Sequence, residues 1–279
     1  MSQLDACAAF KSLHESGCFV IPNPWDRGSA VYLERLGFKA LATTSAGFAF
    51  SQALPDSIEA LPRDLVLAHA RDIAGATSLP VNVDFQHGYA DDPDGVAANV
   101  ALCIRTGIAG LSIEDNRGDG LYPAKLAIDR VAAARKAIDD SGVPVILTAR
   151  CEAWLLNEPN ASQVARDRLA AFAAAGADCL FAPGVKDLDD IAQLVKVVEP
   201  KPLNVLVSAP SKTLSVQSLA DVGVRRISVG SALARTAWGA FARAAQMIAG
   251  DGSFDGLDGA LSFATLNEMF AASVTMRRP

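Results

Sequence analysis

Two kinds of segment alternate along the chain, and this alternation is the main structural signal in the sequence. One kind is short, apolar and rich in β-branched residues, and the other is long, rich in alanine and amphipathic. Short apolar runs bounded by Gly or Pro suit strands that are buried on both faces of a parallel sheet. We predict eight such strands, over residues 19–23, 40–45, 80–85, 110–115, 144–151, 179–184, 203–208 and 226–230.

Eight segments with apolar residues at helical spacing follow these strands. They cover residues 27–36, 63–75, 93–106, 126–141, 161–175, 187–198, 215–222 and 232–247. Five of the segments run up to a glycine that precedes the next strand, which is the usual stop signal of a helix. These glycines are Gly37, Gly107, Gly142, Gly176 and Gly223. Eight strand–helix repeats predict an α/β fold of the (β/α)8 TIM-barrel type. A doubly wound open sheet is the alternative, but its GxGxxG sequence does not follow the first strand.

The pattern changes near the end of the chain. We expect residues 1–249 to form the catalytic barrel domain, without a second globular domain. Residues 250–259 are rich in Gly and Asp and indicate a linker, and residues 260–272 predict one more apolar helix. Residues 250–279 are therefore expected to leave the barrel and pack on a neighbouring subunit of a homo-oligomer.

Composition narrows the class of protein. The chain has 279 residues, of which 51% are hydrophobic, so it can bury a large core without disulfides. Its net charge of −6 argues against nucleic-acid and anionic membrane partners. No apolar run approaches the ~18 residues of a membrane span, and the first residues lack the apolar core of a signal peptide. The five cysteines are scattered without a CxxC pair, which is typical of reduced thiols in a cytoplasmic protein.

Charged side chains stand where the predicted strands end, and in a barrel the active residues occupy those positions. Asp84 and Glu114 end the third and fourth strands, Arg150 lies on the fifth, and Asn204 on the seventh is expected to bind substrate. Two convergent carboxylates without a nearby His or Cys form a hard oxygen site that favours Mg²⁺ or Mn²⁺ over zinc. The alternative is that one acid caps a helix or pairs with Arg150. A buried Arg150 needs an anionic partner, which is Glu114, a substrate carboxylate or both.

Other features near the strand ends carry weaker signals. The small residues 45–47 allow backbone N–H groups to approach an anion. Residues 228–231 are similar to a barrel phosphate site, but we favour simple packing of a helix start there. His87 is more typical of a hydrogen-bonded structural residue than of a catalyst, and Cys151 of a small buried hydrophobe. No lysine lies inside a predicted strand, which argues against a Schiff-base aldolase.

At these residues the sequence resembles the isocitrate lyase/phosphoenolpyruvate mutase superfamily, from Pro22 to about Phe270. The matching segments are PNPWDRGSA, TTSAGFAFSQALPD, PVNVDFQHGY, GLSIED, LYPAKLAIDRVAAAR, ILTARCEA and PLNVLV. Their order and spacing are far more specific than any single segment. The resemblance implies a barrel whose last helix is exchanged between the subunits of a dimer or tetramer. It also implies bound Mg²⁺ and a small α-oxo acid substrate.

The resemblance assigns metal-binding roles to three residues. Asp84 is similar to the direct metal ligand of the superfamily, and Glu114 to the acid that holds metal-bound water. The superfamily often has Asp-x-Asp on the third strand, but here the second position is Gln86. A glutamine can still bond metal-bound water through its carbonyl but carries no charge, so we expect Mg²⁺ to bind more weakly.

The resemblance also implies how the substrate is held. Ser45, Ala46 and Gly47 match the cradle of the substrate carboxylate, the last two through their N–H groups. Asp56 matches an aspartate that lies near the metal and the reacting group. Arg150 matches an arginine that grips substrate oxygens and stabilises an enolate.

A second departure from the superfamily lies in the loop of residues 116–123. Isocitrate and methylisocitrate lyases carry a Lys-x-Cys-Gly-His motif there, with the cysteine as general acid, and this chain has none of it. A lyase that uses that acid is disfavoured. The short loop resembles the phosphonomutase-like subgroup instead.

The leading prediction is a Mg²⁺-dependent phosphoenolpyruvate mutase-like enzyme, either a phosphonomutase or a lyase. It would cleave or rearrange a P–C or C–C bond of a small α-oxo acid through a pyruvate enolate. Candidate types are carboxyvinyl-carboxyphosphonate phosphorylmutase, phosphonopyruvate hydrolase and oxaloacetate decarboxylase. One alternative is a non-catalytic, Mg²⁺-dependent binder of oxo acids or dicarboxylates, motivated by Gln86 and the missing loop acid. Another is a metal-dependent pyruvate aldolase of a different barrel family.

Overall fold

Eight parallel strands form one sheet in the computed structural model, which describes residues 1–275 of the chain. The strands are β1 Phe19–Ile21, β2 Leu41–Ala42, β3 Val81–Asp84, β4 Gly110–Glu114, β5 Ile146–Arg150, β6 Cys179–Phe181, β7 Leu203–Leu206 and β8 Arg226–Ser228. Their order is β1-β8-β7-β6-β5-β4-β3-β2. A hydrogen bond from Ala42 N to Pro22 O, 3.0 Å long, joins the two ends of the sheet. The sheet is therefore a nearly closed barrel.

Helices alternate with the strands, as the predicted (β/α)8 fold requires. They are α1 Gln3–Glu15, α2 Arg27–Arg35, α3 Ser45–Ser51, α4 Arg63–Ala74, α5 Pro93–Ile104, α6 Ala124–Ser141, α7 Ala161–Ala174, α8 Leu188–Val198, α9 Val216–Asp221, α10 Ala232–Asp251 and α11 Phe263–Thr275. The five glycines predicted to stop helices all have a positive φ, between +68° and +102°. This is the left-handed conformation that glycine adopts most readily after a helix.

The N-terminal helix α1 precedes the eight helices that were predicted to follow the strands, and it packs against the amino-terminal end of the barrel. A capping box of Ser2 and Asp5 starts the helix. Phe10 on α1 is fully buried, and a Cβ on Gly110 at the start of β4 would lie 2.7 Å from the Phe10 ring. The amide of Gln3 donates to two carbonyl groups ahead of β4, at 2.8 and 2.9 Å. Helix α1 therefore packs against the amino-terminal end of the barrel, around the start of β4.

The eight strands are shorter than predicted, because the residues beyond their carboxyl ends leave the ladder. Gln86, two residues after β3, already has a φ of +43°. β4 and β5 are the longest strands, and their register places Glu114 directly beside Arg150. The strand ends therefore bring the predicted charged residues to one rim.

The C-terminal segment differs in detail from the prediction. Helix α10 continues to Asp251, so the predicted linker begins inside a helix. Helix α11 lies beside α2 of the same chain, where Arg35 Nη1 donates to the carbonyl of Glu268 at 2.9 Å. The exchange between subunits and the division at residue 249 stay predictions, and residues 276–279 lie outside the described part. None of the helices described is both long and apolar enough to cross a membrane.

Candidate active site

A cavity of about 220 Å³ opens at the carboxyl ends of the strands. Six of the nine predicted site residues line it. They are Ser45, Ala46, Asp56, Asp84, Arg150 and Asn204. The other three, Gly47, Gln86 and Glu114, are not among the residues that line it. The structure therefore brings most of the predicted site residues together around one cavity.

Arg150 is the centre of the charged part of the site. Its Nη1 lies 2.8 Å from Asp84 Oδ1 and 2.9 Å from Glu114 Oε1, and its Nε lies 2.9 Å from Glu152 Oε1. All four side chains are largely buried, with exposed fractions between 4% and 15%. Its third nitrogen, Nη2, has no hydrogen bond to the residues of the described chain, so it remains able to bind an oxygen in the cavity. The alternative interpretation, that an acid pairs with Arg150, is confirmed for both Asp84 and Glu114, and the metal site stays a prediction.

Carboxylates outnumber cations in this cluster. Burial raises the pKa of Glu114 and of Glu152, while the nearby Arg150 opposes the shift in both. Burial and repulsion by Asp84 raise the pKa of Asp56. Burial disfavours the charged Arg150, but the surrounding acids outweigh this and raise its pKa. Acids therefore outnumber the one guanidinium, and burial and mutual repulsion oppose full ionisation of the cluster.

The small residues after β2 form the first turn of helix α3, not a simple turn. Thr44 caps this helix and accepts a hydrogen bond from Gly47 N at 3.2 Å. The N–H of Ser45 donates to Asp84 Oδ2 at 3.1 Å, which fixes that carboxylate from a second side. A Cβ on Gly47 would lie only 2.7 Å from Thr44 Cγ2. Ala46 faces the cavity, whereas the N–H of Gly47 is already bonded, so its predicted contact with substrate stays a prediction.

Oxygen donors suited to a divalent cation are present beside Arg150. Asp84 and Glu114 converge on one guanidinium nitrogen, so their carboxylate oxygens are neighbours. The Gln86 Oε1 atom is buried and has no hydrogen-bond partner in the described chain. No group of three or more Asp, Glu, His or Cys side chains among residues 1–275 is arranged around a metal-sized point. Mg²⁺ commonly binds one or two carboxylates and keeps several waters, so this donor set fits it.

Of the weaker sequence signals, His87 and Cys151 lie outside the cavity, whereas Ser228, Gly230 and Ser231 line it. His87 does not line it, and its backbone carbonyl accepts a hydrogen bond from Arg130 Nη2. Cys151 is fully buried. The N–H groups of Val229 and Gly230 both donate to Asn23 Oδ1, at 2.9 and 2.8 Å. Two backbone N–H groups of residues 228–231, the segment that is similar to a phosphate site, are therefore already bonded to Asn23, which lies in the loop after β1.

Two residues of the site were missed by the sequence reasoning. Glu152 follows Arg150 by two residues and bonds its Nε. Arg226 is 3% exposed and lines the cavity from the start of β8. The argument applied to Arg150, that a buried arginine needs an anionic partner, would have marked Arg226 as a candidate but would not have shown that its side chain points into the barrel.

Asn204 lines the cavity, but neighbouring side chains bond both ends of its carboxamide. Its Nδ2 donates to Ser228 Oγ at 3.0 Å, and its Oδ1 accepts from Arg226 Nε at 2.9 Å. Asn204 therefore fixes Arg226 in the structure as it stands. Its predicted contact with substrate is untested.

Comparison with known proteins places this geometry in context. The family model described as phosphoenolpyruvate phosphomutase matches residues 10–249. An uncharacterized protein of Mycobacterium tuberculosis is 34% identical over 224 residues, covering 80% of this chain and 82% of that protein. An oxaloacetate decarboxylase of Chromohalobacter salexigens is 30% identical over 246 residues, covering 83% and 81%. A crystal structure from Burkholderia cenocepacia J2315 with a provisional lyase/mutase assignment has 42% identity and a TM-score of 0.91, and covers 96% of both chains.

Proposed function

The chain belongs to the phosphoenolpyruvate phosphomutase family, and from this premise we propose that it cleaves or rearranges the bond beside the carbonyl of a small α-oxo acid. A pyruvate enolate is the intermediate in this proposal. The relative from Chromohalobacter salexigens, an oxaloacetate decarboxylase, supports a lyase that acts on an oxo acid. The absence of the Lys-x-Cys-Gly-His motif argues against a reaction that depends on its cysteine.

The observation that carries the proposal is the arrangement of Arg150. Three carboxylates fix its guanidinium, and the side chain still lines the cavity. A donor that is already oriented stabilises negative charge as the charge forms, without reorganising. Nη2 of Arg150 is the donor that we assign to the enolate oxygen. The backbone around Ala46 lines the same cavity and would hold the substrate carboxylate.

Asp84 would hold the metal directly, and Glu114 and Gln86 would hold its water. When bound, Mg²⁺ would act as a Lewis acid that polarises the oxo group of the substrate. Asp84 is fixed for this role by the N–H of Ser45, 3.1 Å from Oδ2. Asp56 lines the cavity beside these groups and is the carboxyl group that we assign to proton exchange with the reacting carbon.

An NMR time course tests the reaction. Purified protein with Mg²⁺ is mixed in separate tubes with phosphonopyruvate, oxaloacetate and 2-methylisocitrate, and ³¹P and ¹H signals are followed against enzyme-free controls. We expect turnover in one tube that EDTA abolishes. Binding of an oxo acid without turnover in any tube supports the non-catalytic binder instead.

Variants test the assignment of the residues. With the substrate that is turned over, Asp56→Ala, Asp84→Ala and Arg150→Ala should each lose far more than tenfold of the rate. Arg27→Ala is the matched control, because Arg27 forms an exposed ion pair with Asp72 away from the cavity. Wild-type rates in all three site variants would show that the reaction takes place elsewhere.

A further inference from the structure

A second buried arginine lies in the cavity, and the proposed chemistry leaves it without a role. Arg226 begins β8, is 3% exposed and lines the same cavity as Arg150. Its Nη2 donates to Thr148 Oγ1 at 2.9 Å. Thr148 precedes Arg150 by two residues on β5, a separation of about 7 Å along a strand. Arg226 is therefore one step deeper in the barrel than the charged cluster.

The hydrogen bonds of Arg226 go to neutral groups. Besides Thr148, its Nε donates to Asn204 Oδ1 at 2.9 Å, and its Nη1 lies 3.3 Å from His14 Nε2. The Nδ1 atom of His14 lies 2.7 Å from the carbonyl oxygen of Phe10. This contact fixes Nδ1 as the donor, so Nε2 accepts from Arg226. Three of the five N–H groups of Arg226 are thereby held by the residues described.

The titratable groups beside Arg226 do not balance its charge. Burial and the nearby Arg226 lower the pKa of His14 to about 3, so the ring is neutral at pH 7. Burial raises the pKa of the Cys179 thiol, which is therefore also neutral. Arg226 forms no ion pair with any residue between 1 and 275. Arg150, by contrast, has three acids within 2.9 Å.

An unpaired charge in a protein interior is costly unless something compensates it. A network of neutral acceptors holds the Arg226 guanidinium in place, and the cavity gives a small molecule access to it. The two N–H groups that remain lie on its two terminal nitrogens, the number that a carboxylate binds in a paired contact.

We propose that Arg226 is the residue that binds a second anionic group of the substrate, and so distinguishes acids with two anionic ends from acids with one. The inference rests on the proposed function for the first end, the oxo-carboxylate near Arg150. The second end, a carboxylate or a phosphonate, would point down the barrel toward β8. Arg226 is then a specificity-determining residue, whereas Arg150 serves the reacting end.

Length-matched ligands test the proposal on the wild-type protein with Mg²⁺. Calorimetry compares 2-oxoglutarate with 2-oxopentanoate, and succinate with butanoate, since each pair differs in one terminal carboxylate. Loss of one or two charge-assisted hydrogen bonds corresponds to roughly 10- to 100-fold in affinity, so we expect the diacid to bind more tightly by that factor in at least one pair. Equal affinities in both pairs, or no measurable binding of either diacid, overturn the inference.

A variant separates ligand binding from a structural role. In Arg226→Gln, the affinity for the diacid should fall to that for the monoacid, and the affinity for the monoacid should stay the same. Arg225→Gln is the matched control, because the Arg225 side chain bonds the carbonyl of Gly17 at 3.2 Å and does not line the cavity. Equal weakening of both ligands by Arg226→Gln would show that Arg226 only supports the barrel, and overturn the proposal. If this variant does not fold, the wild-type comparison decides.

The proposal and the proposed function fail in different ways. Turnover of an oxo acid together with equal affinities refutes only the role of Arg226. A preference for diacids without turnover of any substrate supports the anion site and removes the reaction.

Discussion

Replacing Arg150 with glutamine should destabilise the protein by an amount that depends on pH. The substitution removes the one guanidinium that Asp84, Glu114 and Glu152 share, at distances of 2.8 to 2.9 Å. Glutamine is shorter and neutral, so it can bond at most part of this group. Three largely buried carboxyl groups are then left without their counter-charge.

The size of the effect follows from burial. Removal of one partner from a buried ion pair costs about 3–5 kcal/mol, because the remaining charge is uncompensated. The side chains of the three acids are 4% to 15% exposed, so solvent screens them little. For a chain of this size, such a loss lowers the unfolding midpoint by on the order of 10 °C. The affected group contains three acids, so we expect a value toward the upper end of the range.

The sign of the pH dependence is fixed by the same geometry. Burial already raises the pKa of Glu114 and Glu152 in the folded protein, and Arg150 is the main opposing influence. Without Arg150 the folded-state pKa values rise further above those of the unfolded chain. Stability from groups with raised pKa values is present at low pH and is lost as pH rises through the folded-state values. The variant should therefore lie closer to the wild type at pH 5 than at pH 8.

Urea unfolding followed by circular dichroism, at pH 5 and pH 8, measures both quantities. Arg27→Gln is the control, since its ion pair with Asp72 is 48% and 62% exposed and is worth at most about 1 kcal/mol. An equal loss of stability at both pH values would refute the argument, because it would mean that lost packing and not unpaired charge sets the cost.

Three other changes have defined outcomes. Gly47→Ala should lower the free energy of unfolding by about 1–3 kcal/mol, because the added Cβ would lie 2.7 Å from Thr44 Cγ2. Gly239→Ala is the control and should not lower it, because Gly239 lies in the open middle of a helix. Urea unfolding of both variants checks this difference. Gln86→Asp should lower the Mg²⁺ concentration that gives half-maximal turnover, because a charged acid replaces a neutral donor; a metal titration of the rate that shows no shift would contradict it. Asp56→Asn should lose more than tenfold in turnover but retain or gain stability, because it relieves a repulsion between neighbouring acids, and paired rate and unfolding measurements decide.

The part of the site that the sequence could predict is the part set by strand ends. Asp84, Glu114 and Arg150 each close a strand, and the carboxyl ends of parallel strands meet at one rim of a barrel. The count and order of the strands are therefore enough to predict that these three side chains converge. The eight strands and the helix-stopping glycines followed from periodicity and from local conformational preference in the same way.

Features that depend on tertiary contacts were not predictable in this way. Arg226 begins its strand, and whether such a residue points into the barrel depends on the stagger of the strands, which sequence spacing does not give. The neighbouring Arg225 differs by one position and lies on the other side. Helix α3 was missed because its first turn, Ser45 to Gly47, is made of small residues that are equally typical of a loop. Its position is set by the cap from Thr44 and by close packing around Gly47.

The two arginines divide the cavity electrostatically along its depth. At the rim, Asp84, Glu114 and Glu152 surround Arg150, and their carboxylate oxygens suit a divalent cation. One step deeper, Arg226 is held by neutral groups and favours an anion. A molecule with a metal-binding oxo-carboxylate at one end and an anionic group at the other is complementary to both levels in only one orientation. Since that orientation would place the bond beside the carbonyl next to Arg150, we infer that the charges of the barrel select the substrate and orient it for reaction.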